Sequence, residues 1–434
     1  MSCAVLRGAQ LAASCPEAKA HCRALRASRR PPQRALRRRC ASASAPPEPP
    51  SLGRRSATVG GAVLASFAAV RLGAAATLYG SPRFPPLGGR FAVAGVDLRL
   101  PVTGVRARLL YPTIAPSAPT MLPYMGAPVD PEGRAQASSL AGLVRFPAWL
   151  TSHLADGASG VVAGGAVAPG RFPSLAYSHG FGGNAQMGTR VLAEIASHGA
   201  IVLAVEHTDG SASRTLMADG VTVLRFGDRS NAPGARGAGL ALRAAELRGA
   251  AAALAGGADS EALPADVLAA ADPAAAFLGG HSYGAPTALL ALRGKPMRVA
   301  GVLLHDAALQ MATSAEAPAA PCLFLMSDEY FASPAAREPV VAAARAAAPG
   351  SAAFLLRGAA HGNYVDAPFW APRFVMRGLA RLGIPAAGAG DADEVLRAIG
   401  ETGAAMLRGD DAGAFPGFAG AQPRLQPLAL KPRT

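Results

Sequence analysis

Cysteine is scarce in this chain and unevenly placed. Of 434 residues 5 are cysteines, and four of these, Cys3, Cys15, Cys22 and Cys40, sit in one basic N-terminal stretch. Cys322 stands alone in the rest, which excludes a disulfide inside the body, and the spacing of the other four matches no zinc pattern. Acidic residues are almost missing from residues 1–76, which hold 13 Lys/Arg and 2 Asp/Glu. The net charge of +14 therefore belongs to that stretch, because the remainder is close to balance. A balanced body gives no electrostatic case for nucleic acid as a partner. A membrane-spanning run is missing too. The apolar stretch "SATVGGAVLASFAAV" after Arg54-Arg55 is shorter than the ~18–20 residues that cross a bilayer. No internal repeat is present.

What is there divides at about residue 76. Residues 1–50 are rich in Arg, Ala and Ser, the composition of a transit peptide. The twin arginine, the short apolar core and the small-residue site "AAAT", cleavable after Ala76, follow in order. Together they read as a two-step address to the chloroplast, ending in the thylakoid lumen. A single mitochondrial or plastid peptide, or an uncleaved membrane anchor, fits the same features. The expected organisation is a targeting leader over 1–76, a catalytic domain over 77–384, and a C-terminal helix with a flexible tail over 385–434.

Hydrophobic residues make up 50% of the chain, much of it alanine beside 50 Gly and 37 Pro, so alanine-rich windows carry little weight as helix evidence. The informative signal is a series of short apolar runs: "PSLAYSHG", "AIVLAVEH", "AAFLGGHS", "VAGVLLHD", "PCLFLMSD" and "AAFLLRGAAHG". Helical candidates at 185–198, 235–256, 284–293, 334–347 and 366–382 separate them. "FAVAGVDLRLP" and "VRARLLYP" precede them as an antiparallel pair. Apolar strands without alternation, interleaved with helices, predict an α/β fold with a mainly parallel sheet covered on both faces.

In such a sheet, chemistry gathers at the carboxyl ends of the strands. Gly280-His281-Ser282-Tyr283-Gly284 joins a strand to a helix, the pattern of a nucleophile elbow. Ser282 needs a base to take its proton, and His361, after the last strand, is late enough for the chain order Ser, acid, His. Two carboxylates end intervening strands, Asp306 and Asp328, and either could orient the histidine. An oxyanion hole needs two backbone N–H groups. The residue after the nucleophile, Tyr283, offers one, and Phe181 in the glycine-rich loop after "LAYSHG" offers the other. Residues 113–170 are loop-rich. Phe146 and Trp149 in an apolar patch there, with Phe369 and Trp370, read either as a lipid-facing surface for peripheral membrane contact or as the packing of a cap segment.

These motifs, in this order, resemble the lipoprotein-associated platelet-activating factor acetylhydrolases (group VII phospholipase A2). The likeness runs through "LAYSHGFGGNAQMGTRVLAEIASHGAIVLAVEHTDGSAS", "GGHSYGAPTAL", "GVLLHDAAL", "LFLMSDEYF" and "LLRGAAHGNYVD", across residues 90–382. The resemblance implies an α/β-hydrolase fold, Ser282 as nucleophile, Asp306 as acid, His361 as base, and the Phe181 and Tyr283 N–H groups as oxyanion donors. It implies no metal and no cofactor. The implied substrate is a phospholipid or short-chain ester carrying a short or oxidised sn-2 acyl group. Ala285-Pro286 replace the usual Gly-Ala after the elbow, and Thr208-Asp209-Gly210 replace a basic pattern; both bear on chain-length and head-group preference. A broader lipase, carboxylesterase or dienelactone-type hydrolase shares the constellation. So does a catalytically silent lipid-binding relative, against which stands the occupation of every triad position.

Overall fold

Apolar runs without alternation demand cover on both faces, and the fold provides it. A computed structural model describes residues 82–409 and 422–428, apart from 115–118, 127–130, 145–146, 228–234, 294–297, 313–317, 383 and 385. The leader and Phe146 lie outside the described residues. In chain order the strands are β1 (Ala92–Arg99), β2 (Arg106–Thr113), β3 (Met121–Pro123), β4 (Ala158–Ala163), β5 (Phe172–Ser178), β6 (Ile201–Glu206), β7 (Arg214–Leu216), β8 (Val223–Arg225), β9 (Ala271–His281), β10 (Gly301–His305), β11 (Cys322–Ser327), β12 (Ala352–Leu356) and β13 (Leu425–Pro427). The longer helices are α1 (Pro131–Ser139), α2 (Thr189–Ser197), α3 (Ala235–Leu254), α4 (Gly284–Ala291), α5 (Pro334–Ala346), α6 (Arg373–Arg381) and α7 (Ala392–Leu407).

Eleven strands form one sheet in the order β13-β12-β11-β10-β9-β5-β6-β2-β1-β4-β3, and β7-β8 is a separate hairpin. From β12 to β6 every pairing is parallel. The antiparallel β1–β2 pair joins the edge of β6 through β2. Side chains of a strand alternate between faces, and here both faces are dry. Val302 and Leu304 pack with α3, α4 and α5, whereas Leu303 packs with α2 and α7. Val302, Leu303 and Leu304 are therefore apolar in succession, which explains the unbroken runs.

Three features depart from expectation. Residues 113–170 are not all loop: β4 pairs with β1 and β3 pairs with β4. The buried Arg108 clamps this added edge, donating to the Asp97 carboxylate on β1, to the Tyr124 carbonyl and to Thr189 Oγ1 on α2. The helix expected over 366–382 begins only at Arg373, because Asp366 adopts a left-handed φ of 61° and Pro372 precedes the first turn. Last, α7 buries Val395, Leu396 and Ile399 against the α2 face, and β13 pairs antiparallel with β12. Within the described residues, the segment after 385 is part of the fold.

Candidate active site

The chain crosses from one side of β5 to the other between β6 and β9. A crevice opens at such a switch, outside the carboxyl ends of the two central strands. Ser282 follows β9 there, and the loop His179–Gly183 follows β5. Ser282 has φ 54°, a left-handed conformation unusual for a residue with a Cβ. The turn is held because its N–H donates to the His305 carbonyl at 2.9 Å and its carbonyl accepts from Ala308 at 3.1 Å. A Cβ at Gly284 would lie 2.0 Å from the Ser178 carbonyl oxygen, so only glycine lets the elbow seat against β5. Ser282 itself is half-buried.

Asp306 follows β10, also with positive φ, at 44°, and is fully buried. Its two carboxylate oxygens accept from the Ser327 N–H and the Ser327 hydroxyl, each at 2.6 Å. Oδ2 also lies 3.0 Å from His361 Nδ1. With the Nδ1 proton on that bond, His361 Nε2 carries the free lone pair. The imidazole stacks on Tyr330, centroids 4.4 Å apart, and on its other side lies His281, also at 4.4 Å. The structure thus places Ser282 after β9, Asp306 after β10 and His361 after β12, with the end of β11 between the last two. Asp328 goes elsewhere: its Oδ2 accepts from the Gly358 N–H at 3.0 Å and braces the turn before His361.

The Phe181 and Tyr283 loops also meet. Their rings pack edge to face at 5.5 Å, and Phe226 closes on Phe181 at 4.9 Å. A Cβ at Gly180 would touch the Ser282 Cβ at 3.0 Å, so the loop passes directly over the serine. Of the residues read as lipid-facing, Phe369 points inward instead. It is buried against Phe84, 5.9 Å between rings, because an aromatic side chain beside an apolar cluster gains by burial. Trp370 and Trp149 are half-buried, and the Trp370 indole N–H donates to Tyr124 Oη at 2.8 Å.

Three supporting residues escaped sequence reasoning. Asp366 accepts from the N–H groups of Arg190 and Val191 at 2.7 and 2.9 Å. It thereby caps α2, whose own N-cap, Gly188, has no side chain to do so, and it ties the His361 loop to the sheet. Burial pushes its carboxyl up to about 7, against those two N–H bonds. Arg243 and Glu246 lie on the buried stripe of α3, with Leu240 and Leu247; Arg243 reaches the loop after β5 and Glu246 the loop after β6. Glu246 Oε2 accepts from His207 Nδ1 at 2.7 Å, and His207 Nε2 meets Ser178 Oγ at 2.8 Å. Burial, and then the Arg243 charge, hold His207 and His179 neutral, far below their ordinary range. His179 Nδ1 then donates to the Gly180 carbonyl at 2.7 Å while Nε2 accepts from the His207 N–H. The signal available in the sequence was two charges three residues apart on an otherwise apolar helix face.

Residues 79–226 match the family model described as platelet-activating factor acetylhydrolase, isoform II. The match takes in Phe181 and ends before Ser282. No curated protein matches the chain. Among solved structures, a ferulic acid esterase from Streptomyces cinnamoneus aligns with TM-score 0.60 at 22% identity, over 79% of this chain and 98% of that one. The shared fold is the α/β hydrolase, and the family match supports hydrolysis of a carboxylic ester. Over residues 79–226 the chain is similar to the platelet-activating factor acetylhydrolases, and the likeness first read from its motifs is the one its family model carries.

Proposed function

We propose that the protein is a serine esterase that removes a short sn-2 acyl group from a phospholipid. The observation that carries this reading is the 3.0 Å Asp306–His361 pair beside Ser282 on its positive-φ turn. The family match over residues 79–226 supports the substrate class. In the first half-reaction His361 Nε2 takes the Ser282 hydroxyl proton as Oγ adds to the ester carbonyl. The new oxyanion accepts from the N–H groups of Phe181 and Tyr283. The alcohol departs with the proton from His361 and leaves an acyl-serine. In the second half-reaction water gives a proton to His361 as its oxygen adds to the acyl carbon; the acyl–Oγ bond then breaks, the carboxylic acid leaves, and His361 returns the proton to Ser282 Oγ. Asp306 holds the Nδ1 proton throughout and stabilises the imidazolium.

A panel of phosphatidylcholine-type esters graded from acetyl upward tests the substrate class. Turnover that falls as the acyl chain lengthens is expected; turnover that rises supports a broader lipase or carboxylesterase instead. Failure of a fluorophosphonate probe to label Ser282 would identify a silent binding relative.

Two further readings belong to this proposal. Phe374 and Leu382 are the exposed apolar side chains after the His361 loop, and Arg377 and Arg381 lie beside them. They suit contact with an anionic lipid surface better than Phe369 does. Vesicle co-sedimentation of F374S against wild type measures this, and equal binding rejects it. The leader over 1–76 directs the chain to the chloroplast. A fusion of residues 1–80 to a fluorescent reporter tests that, and a diffuse cytosolic signal rejects it.

A further inference from the structure

We propose that Arg243 is a positioning residue for the oxyanion hole: its guanidinium sets the register between the Phe181 loop and Tyr283. The inference rests on the reading of Ser282 as nucleophile and goes one step beyond it.

An oxyanion hole works only if two N–H groups converge on one oxygen. Here they come from the ends of different strands, β5 and β9. Both stretches are rich in glycine, which allows close approach but leaves the backbone free. Something must fix one against the other. Arg243 is fully buried and touches every piece. Its Nη2 donates to Ser178 Oγ at 2.9 Å and to the His179 carbonyl, on the Phe181 side. Its Nε donates at 3.0 Å to Thr287 Oγ1, on α4 behind the elbow, and that hydroxyl donates to the Tyr283 carbonyl at 3.0 Å. Nη1 reaches Ser211 Oγ, and the Gly182 N–H donates to the Ser211 carbonyl at 2.6 Å. The guanidinium carbon also stands 4.9 Å over the Tyr283 ring. One planar fork therefore binds the loop after β5, the loop after β6, the residue after the nucleophile and the helix behind it.

Burying a guanidinium costs several kcal/mol before its partners are counted. These four hydrogen bonds all go to neutral acceptors, so attraction within a salt bridge does not account for its place. The five donors of the fork, aimed in fixed directions, do. Lysine has a point charge and no such geometry.

A purely structural role and a positioning role differ in one readout. An oxyanion hole built for oxygen discriminates an ester from its thionoester, in which charge develops on sulfur. The test compares kcat and KM for a matched acetyl ester and thionoester in wild type, R243Q, R243K and T287V. Expected for R243Q is a kcat loss on the ester of about 100-fold, as for loss of one oxyanion donor, with little change in KM. The ester-to-thionoester ratio should collapse in the same variant. R243K should resemble R243Q, because charge without the fork does not restore register. T287V removes one acceptor of Arg243 and the donor to the Tyr283 carbonyl but leaves the other three bonds of the fork. It should shift the ratio in the same direction by a smaller factor, which keeps the test open if R243Q does not fold. Equal losses on both substrates, or an unchanged ratio in T287V and R243Q alike, overturn the proposal alone. A wild-type protein whose Ser282 takes no fluorophosphonate label overturns the reading beneath it as well.

Discussion

Among the described residues two sets of serine, histidine and carboxylate are placed differently: Asp306 meets His361 at 3.0 Å with Ser282 on its own turn, whereas Ser178, His207 and Glu246 are joined by two hydrogen bonds. Ser282, His361 and Asp306 meet at strand ends, with 23% of the His361 side chain exposed and Ser282 half-buried. Ser178, His207 and Glu246 form the other set, with hydrogen bonds of 2.8 and 2.7 Å, tighter than the Asp306–His361 contact. Every member of the second set is buried, and Ser178 lies in the extended backbone of β5 with its hydroxyl already engaged by Arg243. Residue type and a close histidine–carboxylate pair therefore do not separate an attacking serine from a structural one. Access and backbone conformation do. Ser282 stands on a left-handed turn at a crevice, whereas Ser178 has no space into which a substrate carbon could come.

The largest expected effect comes from removing each serine in turn. S282A should lose on the order of 1,000,000-fold in kcat on an acetyl ester, as removal of a triad nucleophile does, with the thermal midpoint nearly unchanged. S178A should do the reverse. It leaves Arg243 and His207 short of a partner, which costs about 1–3 kcal/mol of stability, while kcat falls by no more than about tenfold. Paired kcat and melting measurements decide. An S178A protein that melts normally yet turns over as poorly as S282A would erase the distinction.

The carboxylates give the next contrast. D306N keeps the shape of the acid but gives His361 the wrong tautomer, and about 10,000-fold in kcat is the expected loss. D328N removes the charge but keeps an oxygen to accept from the Gly358 N–H, and should cost less than about tenfold in kcat. A D328N loss that matches D306N would mean that the acid had been assigned to the wrong strand.

Most of the first set was legible in the sequence, and almost none of the second was. Strands such as β10 and β11 announce themselves because both faces are buried. The elbow announces itself as Gly-x-Ser-x-Gly between an apolar run and a helix, and His361 by falling after the last apolar run, as the chain order requires. The choice between Asp306 and Asp328 was not legible from the strand ends alone, since both end a strand; only the fold turns one toward His361 and the other toward Gly358. β13 was missed because it is three residues long, and β4 because it owes its state to distant partners, meeting β1 over Ala94–Val162 and Gly95–Ala163 alone. Arg243 was missed because its partners lie in other elements, and within α3 it looks like any arginine in an alanine-rich helix. Asp366 was missed for the same reason. Its partners, the N–H groups of α2, are remote in sequence, and its left-handed φ is invisible in a string of letters.

The smallest effect sharpens the comparison most, because it reads the buried set directly. Burial pushes Glu246 up to about 7, although hydrogen bonds from Thr208 and the Arg243 charge pull the other way. An unfolded glutamate titrates near 4.3. The folded protein therefore binds the Glu246 proton more tightly than the unfolded chain does. The resulting stability is present below about pH 4 and is lost as pH rises through about 7. His207 and His179 act with the opposite sign, since both are held neutral and their contribution is lost as pH falls below about 6.5. A wild-type melting curve mixes the two trends, but a difference between variants separates them. E246Q cannot ionise and keeps an acceptor for the His207 Nδ1 proton. Whatever its offset at about pH 5, its thermal midpoint relative to wild type should rise steadily toward about pH 8, as wild type alone comes to bury a carboxylate. A flat E246Q difference would mean that Glu246 is already ionised at low pH and pairs with Arg243 as a charge, so that the second set would be an ion network.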